Sequence, residues 1–338
     1  MFNTLKKTSL AILVASTSLL QFSCNNDDVE ADKLGNWYRQ GIPDFGGTPR
    51  SGAVSFVVGE KGYIGTGRTN EQVSRVKDMW SFNGATWTQV AEFPGTGRQD
   101  AIAFVIGSKA YVGTGYDGLT STEGAGYKKD FYEYDATANT WKKIADFPMN
   151  RSNASAFVVG NKGYVGLGSI NISTMYQDFY AYDPATNTWD ANVANFTGGK
   201  RKGANAFVLG DKAYVGFGQN NSQTPTKDLY SFDPVANSWT RLEATNDNLT
   251  ARAFGFTLVM NDKAYIIGGT ASSDVWQYEA GTNTWTAMTN FENGPRSYAA
   301  GFTLKGIGYI GTGLAGGSQN TDDLWAFDPT AAVNADDN

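Results

Sequence analysis

Residues 203–239, GANAFVLGDKAYVGFGQNNSQTPTKDLYSFDPVANSW, are one copy of a pattern that runs six times along this 338-residue chain. Ala204 to Leu209 is a small-then-large apolar run, and Gly210-Asp211-Lys212 has the residue types of a tight hairpin turn. A second strand is predicted over Ala213 to Phe217, ending in glycine; a polar loop follows to Asp228, and a third strand, Leu229 to Phe232, alternates apolar and polar. Asp233-Pro234-Val235-Ala236-Asn237 reads as a second turn, because proline presets one dihedral and asparagine tolerates the left-handed region. Trp239 then opens a fourth strand. A unit of about fifty residues cannot bury its own apolar faces and has to stack on its neighbours. The expected fold class is therefore all-β.

The landmarks recur in register. Arginines before the first strand stand at Arg50, Arg98, Arg151, Arg201, Arg252 and Arg296, and the glycine closing the second strand is Gly67, Gly115, Gly168, Gly218, Gly269 or Gly313. The third strand is preceded by Asp78, Asp130, Asp178, Asp228, Asp274 or Asp323. Tryptophans of the fourth strand are Trp87, Trp141, Trp189, Trp239 and Trp285; the missing one is supplied by Trp37, ahead of the first arginine. The last copy stops at Phe327-Asp328-Pro329, so Asn36 to Arg39 is expected to pair beside Leu324 to Phe327 and close a ring, which leaves no large unpaired sheet edge.

These marks resemble the kelch-repeat β-propeller, here six-bladed over residues 34–330: the glycine pair, the aromatic after the aspartate (Trp80, Tyr132, Tyr180, Tyr230, Trp276, Trp325) and the later tryptophan. One departure is consistent. Only Gly268-Gly269 is a Gly-Gly pair, and the other five copies read Gly-x-Gly. Glycines and tryptophans have structural work between blades, and small residues such as Ala101, Ala103, Ala154, Ala156, Ala204 and Ala206 suit crowded innermost strands.

Residues 1–24 read differently. Lys6-Lys7 precede an apolar run from Leu10 to Leu20, too short to span a bilayer, and then Gln21-Phe22-Ser23-Cys24. This resembles the signal peptide of bacterial lipoproteins, ending at the lipobox cysteine, and implies lipidation at Cys24, the only cysteine of the chain, so no intrachain disulfide exists. Residues 25–33, NNDDVEADK, read as a flexible acidic tether, and 331–338 as a disordered tail. The expected place is the outer membrane, on its periplasmic or cell-surface side, held by lipid only.

Composition limits the chemistry. No histidine occurs, which removes imidazole bases, histidine metal sites and Ser-His-Asp or Cys-His nucleophiles together. The resemblance includes galactose oxidase, whose copper site needs histidines and a Tyr-Cys crosslink, so that activity is excluded. It also includes metal-free sialic acid mutarotases. No cofactor is expected, and a net charge of −6 argues against nucleic acid.

Two features compete as a binding site. The six arginines all lie on the connection into an innermost strand, on the face that also carries the loop between second and third strands. They either focus positive potential on one mouth of the channel, favouring a carboxylate ligand, or pair with the six aspartates as braces. Where the repeats differ, the loop after Gly115 has fourteen residues, Tyr116 to Lys129, against four after Gly269. It offers Tyr116 and Tyr127 for stacking and Asp117 and Glu123 as candidate catalytic acids, beside Arg68 and Arg75 of the neighbouring loop. The expected protein is a monomeric, non-catalytic recognition platform for a glycan, an acidic one included, or for an envelope protein; a mutarotase is the alternative.

Overall fold

The first strand of each repeat folds back on the second through a tight turn, which contains glycine in five repeats and is Asn261-Asp262 in the fifth, and the third and fourth follow outward. The computed structural model describes residues 33–70, 75–119, 124–171, 173–334 and 336. Cys24, the signal segment, nearly all of the tether and Glu123 lie outside the described residues.

In the fourth repeat the strands are Asn205–Leu209, Lys212–Gly216, Leu229–Asp233 and Ser238–Leu242, paired antiparallel in that order. Six such four-stranded sheets are present, and no helix occurs among the described residues. The innermost strands touch one another in sequence around an axis, and Ala300–Leu304 of the last sheet returns to Val54–Val58 of the first. The fold is a closed six-bladed propeller. The turn asparagines Asn139, Asn187, Asn237 and Asn283 do adopt left-handed backbones, with φ of 54, 54, 47 and 53°.

Sheets pack through aromatic side chains. In the second, third and fourth blades the indoles of Trp141, Trp189 and Trp239 each donate to a carbonyl of the preceding blade, Ala91, Ala145 and Ala194, at 2.9–3.0 Å. Close approach needs small residues. A Cβ on Gly62 would stand 2.4 Å from the Phe302 ring of the last blade, so glycine there admits the ring-closing contact.

The closing sheet departs from expectation in one respect. Leu34–Tyr38 pairs with a single strand that runs Leu324–Ala332, with Trp37 opposite Phe327 and Asn36 opposite Asp328. Asp328-Pro329 is therefore strand, where its counterparts in other blades turn, and Ala331 and Ala332 belong to the sheet and not to a frayed tail. The N-terminal strand takes the fourth place in this sheet, so the third continues straight along it, and the Asn334 amide donates to the Asn36 side chain at 2.7 Å.

Trp37 anchors this seam. It is fully buried, stacked on Phe327 at 4.5 Å and edge-on to Phe291 at 4.8 Å. Trp37→Ala should cost about 3–5 kcal/mol, the range for deleting a buried large aromatic. Urea denaturation checks this: the midpoint should fall, with an unchanged slope if the ring unfolds as one unit.

Candidate functional site

The six arginines are all buried, between 0 and 1 % exposed. Arg50 places Nη1 2.7 Å from Asp78 Oδ1 and Nη2 2.9 Å from Oδ2. The same two-point pairing joins Arg98 to Asp130, Arg151 to Asp178, Arg201 to Asp228 and Arg296 to Asp323. Arg252 reaches one oxygen of Asp274, at 2.6 Å, and the Asp274 carbonyl. A phenyl ring lies under five guanidiniums, Phe45, Phe93, Phe147, Phe196 and Phe291, at 4.6–5.2 Å; Phe217 serves Arg252 at 5.7 Å. Each arginine thus sits in an internal strut, with its charge neutralised and its faces covered.

The strut also explains Gly-x-Gly. In every blade the arginine donates to the carbonyl sixteen residues on, at Thr66, Thr114, Leu167, Phe217, Gly268 and Thr312. All six are left-handed, with φ of 56–61°. Only one is glycine, so the other five hold a conformation that disfavours their side chains, and the charged hydrogen bond fixes it.

Two circuits of backbone hydrogen bonds follow. The closing glycine of each blade donates to the arginine carbonyl of the next, from Gly67 to Arg98 round to Gly313 and Arg50, at 2.7–2.9 Å. The residues two after each arginine, Gly52, Asp100, Asn153, Gly203, Phe254 and Tyr298, are also all left-handed. Each donates its N–H to the carbonyl of its counterpart in the preceding blade, and Gly52 closes onto Tyr298, at 2.8–3.0 Å. This second belt rims the channel mouth, and its six side chains are all different in kind except for two glycines.

Symmetry breaks there. A cavity of 310 Å³ opens between the first, second and last blades, walled by Arg68, Gln99, Asp100, Tyr298 and Asn320 among others. Burial pushes the Asp100 carboxyl above its ordinary pKa, although hydrogen bonds from Gln99 and Asn153 and the charges of Arg75 and Arg68 act the other way. The Gln99 amide donates to Asp100 at 2.9 Å and accepts from Arg75 Nε at 3.1 Å. Burial lowers Lys202, with Asp100 opposing it. Arg68, Arg75 and Lys202 have no carboxylate within salt-bridge distance among the described residues. A cleft of 320 Å³ between the fourth and fifth blades is lined by Lys227, Asp228, Arg241 and Glu243, so its cations are matched in number by carboxylates, and Asp228 is already engaged by Arg201.

Of the loop residues expected at the site, Arg68 walls the cavity, and Tyr116 lies under Arg75 at 4.7 Å while pairing with Tyr127 at 4.7 Å. Burial raises the Tyr127 hydroxyl pKa, helped by the nearby Tyr116 and Asp100. Asp117 is used differently. It is buried, bound by Lys128 at 2.6 Å, Thr96 at 3.1 Å and the Leu119 amide at 2.9 Å. Burial would raise its carboxyl, but these bonds outweigh burial and hold it below the usual range, which suits a loop brace and not an acid catalyst. Arg75 was read from the sequence with Arg68, whereas Asp100, Gln99, Lys202 and Tyr298 were not singled out; for Asp100 and Tyr298 the signal was the variation two places after each repeated arginine.

Comparisons agree with this architecture. The KLHDC2/KLHL20/DRC7 Kelch-repeats domain matches residues 97–269 and 199–333. The chain belongs to the kelch-repeat family. Among solved structures it is similar to one titled "Structure of YjhT", with a TM-score of 0.71 at 20% identity, covering 84% of this chain and 95% of that one. That likeness supports the kelch propeller fold. No curated protein matches.

Acid should dismantle the struts. Burial alone would raise Asp78, Asp274 and Asp323, but the bonds and charge of their arginines, with Trp80, Trp276 and Trp325, win and leave each carboxyl below the ordinary 3.8. A depressed folded-state pKa gives stability that is present above the unfolded value and lost as pH falls through the folded one. The urea midpoint should stay level from neutrality to about pH 5 and drop steeply below about pH 4. A midpoint independent of pH down to about 3 would contradict the strut account.

Proposed function

We propose that this kelch propeller is an exported recognition module that binds an acidic glycan, through a single sugar carboxylate, at the cavity rimmed by Arg68, Asp100 and Tyr298. One observation carries the reading: three cations, Arg68, Arg75 and Lys202, gather at the place where the sixfold pattern breaks, without a carboxylate partner among the described residues. Arginine is suited to a planar carboxylate, which it can engage with two parallel hydrogen bonds. A 310 Å³ cavity lies at the small end of ligand sites and fits one sugar unit better than an extended protein face. The six buried arginines hold the rim rigid and leave recognition to residues outside the struts.

Asp100 favours one second reading, the sugar mutarotase implied by the kelch resemblance. A carboxyl that keeps its proton to higher pH, beside cations that seat the substrate, has the makings of a general acid for opening a pyranose ring. Export at the envelope rests on the N-terminal text: lipidated at Cys24, the protein should incorporate labelled palmitate, and Cys24→Ser should not. Equal labelling of the two, or none in the parent, would remove the anchor.

The test of function is titration of the full chain with galacturonic acid, N-acetylneuraminic acid and neutral galactose at two salt concentrations. An acid should bind, galactose should not, and added salt should weaken binding. Arg68→Ala should lower affinity about tenfold, the loss of one charge-assisted contact. Equal binding of galactose, or no binding of either acid, would overturn the proposal. Exchange NMR on the bound acid separates the two readings: anomer interconversion accelerated by the parent and abolished in Asp100→Asn would make the protein a mutarotase.

A further inference from the structure

The belt at the channel mouth carries two aromatic side chains in positions where glycine would be easier. Phe254 and Tyr298 have φ of 59 and 54°, a conformation that bulky residues rarely adopt. Two equivalent places are glycine, Gly52 and Gly203, so the belt itself does not require side chains. Bulky left-handed residues elsewhere in this fold have a structural return: Phe217, at 57°, is fully buried between Trp285 and Arg252. Phe254 and Tyr298 do not, since both stay partly open to solvent at the mouth. Strain held at an open cavity is a mark of a working surface.

Their arrangement is directional. Side chains of the belt lean back over the preceding blade: a Cβ on Gly203 would stand 2.3 Å from the Phe254 ring, and one on Gly52 would stand 2.4 Å from Asp100 Oδ1. Tyr298 stacks on Phe254 at 4.4 Å with the rings 17° from parallel. Gly203, Phe254 and Tyr298 therefore form a pile, each covering the one before. Gly52 comes next in the belt and has no side chain to cover Tyr298. The gap it leaves is bounded on its far side by Asp100, and both Tyr298 and Asp100 wall the 310 Å³ cavity with Arg68. The Tyr298 hydroxyl makes no hydrogen bond among the described residues.

We infer that the outer face of Tyr298, backed by Phe254 and exposed by Gly52, is a stacking platform for the apolar face of a pyranose ring, and that it selects cyclic acidic sugars over open-chain acids. The inference rests on the proposed function, because the ligand's carboxylate is assigned to Arg68. It adds the part of the ligand that the cations do not read. A carboxylate alone satisfies Arg68, whereas a flat C–H face is needed to cover the tyrosine ring, and an aromatic surface rewards that burial without demanding a hydrogen bond.

Glycine substitution makes a clean test, since it removes the ring while easing the backbone and leaving the N–H to Phe254 intact. The full chain, Tyr298→Gly, Phe254→Gly and Tyr298→Phe are titrated with galacturonic acid and with gluconic acid, an open-chain acid of similar size, and their thermal midpoints are recorded. The parent should prefer galacturonate by about tenfold, an increment in the range of one aromatic contact. Tyr298→Gly should bring the preference below about twofold, with gluconate affinity unchanged and the thermal midpoint no lower than the parent's. Phe254→Gly should reduce it partway, and Tyr298→Phe should keep it. A preference that survives Tyr298→Gly, or that Tyr298→Phe loses just as fully, overturns the platform and leaves acid recognition standing. If the parent binds neither acid, the proposed function fails and the platform fails with it.

Discussion

The buried arginine–aspartate strut is the interaction on which the rest of this molecule depends. Taking a guanidinium and a carboxylate out of water is costly, and a buried ion pair is by itself weak evidence for stability. Here each pair does more than pair. One arginine joins the third strand through the aspartate, the Gly-x-Gly corner through its carbonyl, and the incoming connection through a phenyl face. Its own carbonyl then receives the glycine amide of the preceding blade. Blade curvature, the left-handed corner and blade-to-blade spacing are therefore set by the same six groups. Replacing them with apolar residues would keep burial but would leave the corner carbonyls and the blade seams without a common anchor.

That multiplicity explains what could be read from the chain and what could not. Blade number, strand order and ring closure by the segment of Trp37 were legible, because each depends on residue types that recur at fixed offsets. The extension of the final strand through Asp328-Pro329 to Ala332 was not, since the same Asp-Pro begins a turn in the third and fourth repeats' equivalents at Asp183 and Asp233. Local turn chemistry lost to pairing with a distant strand. Similarly, Gly-x-Gly looked like a minor variant of a glycine pair; the middle residue is left-handed in all blades, and only the hydrogen bond from the arginine shows why Thr66, Leu167 or Phe217 is tolerated there.

The candidate site was legible only in part, for a related reason. A repeated arginine draws attention, yet repetition is what a device serving the fold would produce, and all six prove to be enclosed. Residues of the long loop were found because the loop is visibly irregular: Tyr116 and Tyr127 do reach the neighbourhood of Asp100, while Asp117 turns inward to Lys128. Asp100 and Tyr298 escaped notice since nothing in their local sequence is unusual. They become conspicuous only when aligned by the arginine before them, where the series runs Gly, Asp, Asn, Gly, Phe, Tyr.

Such a series is what a recognition surface on a closed ring has to look like. The second belt of hydrogen bonds uses only backbone atoms, so side chains at those six positions are released from any part in holding the ring. They are nevertheless placed with the accuracy of the belt, at the mouth, each leaning in the same rotational sense. Rigid backbone and free side chain rarely coincide on a protein surface, where loops that vary are generally loops that move. In this fold the struts one step further out make the coincidence possible, and the cost of left-handed aromatic residues is borne by a scaffold that would keep its shape with glycine at every one of the six.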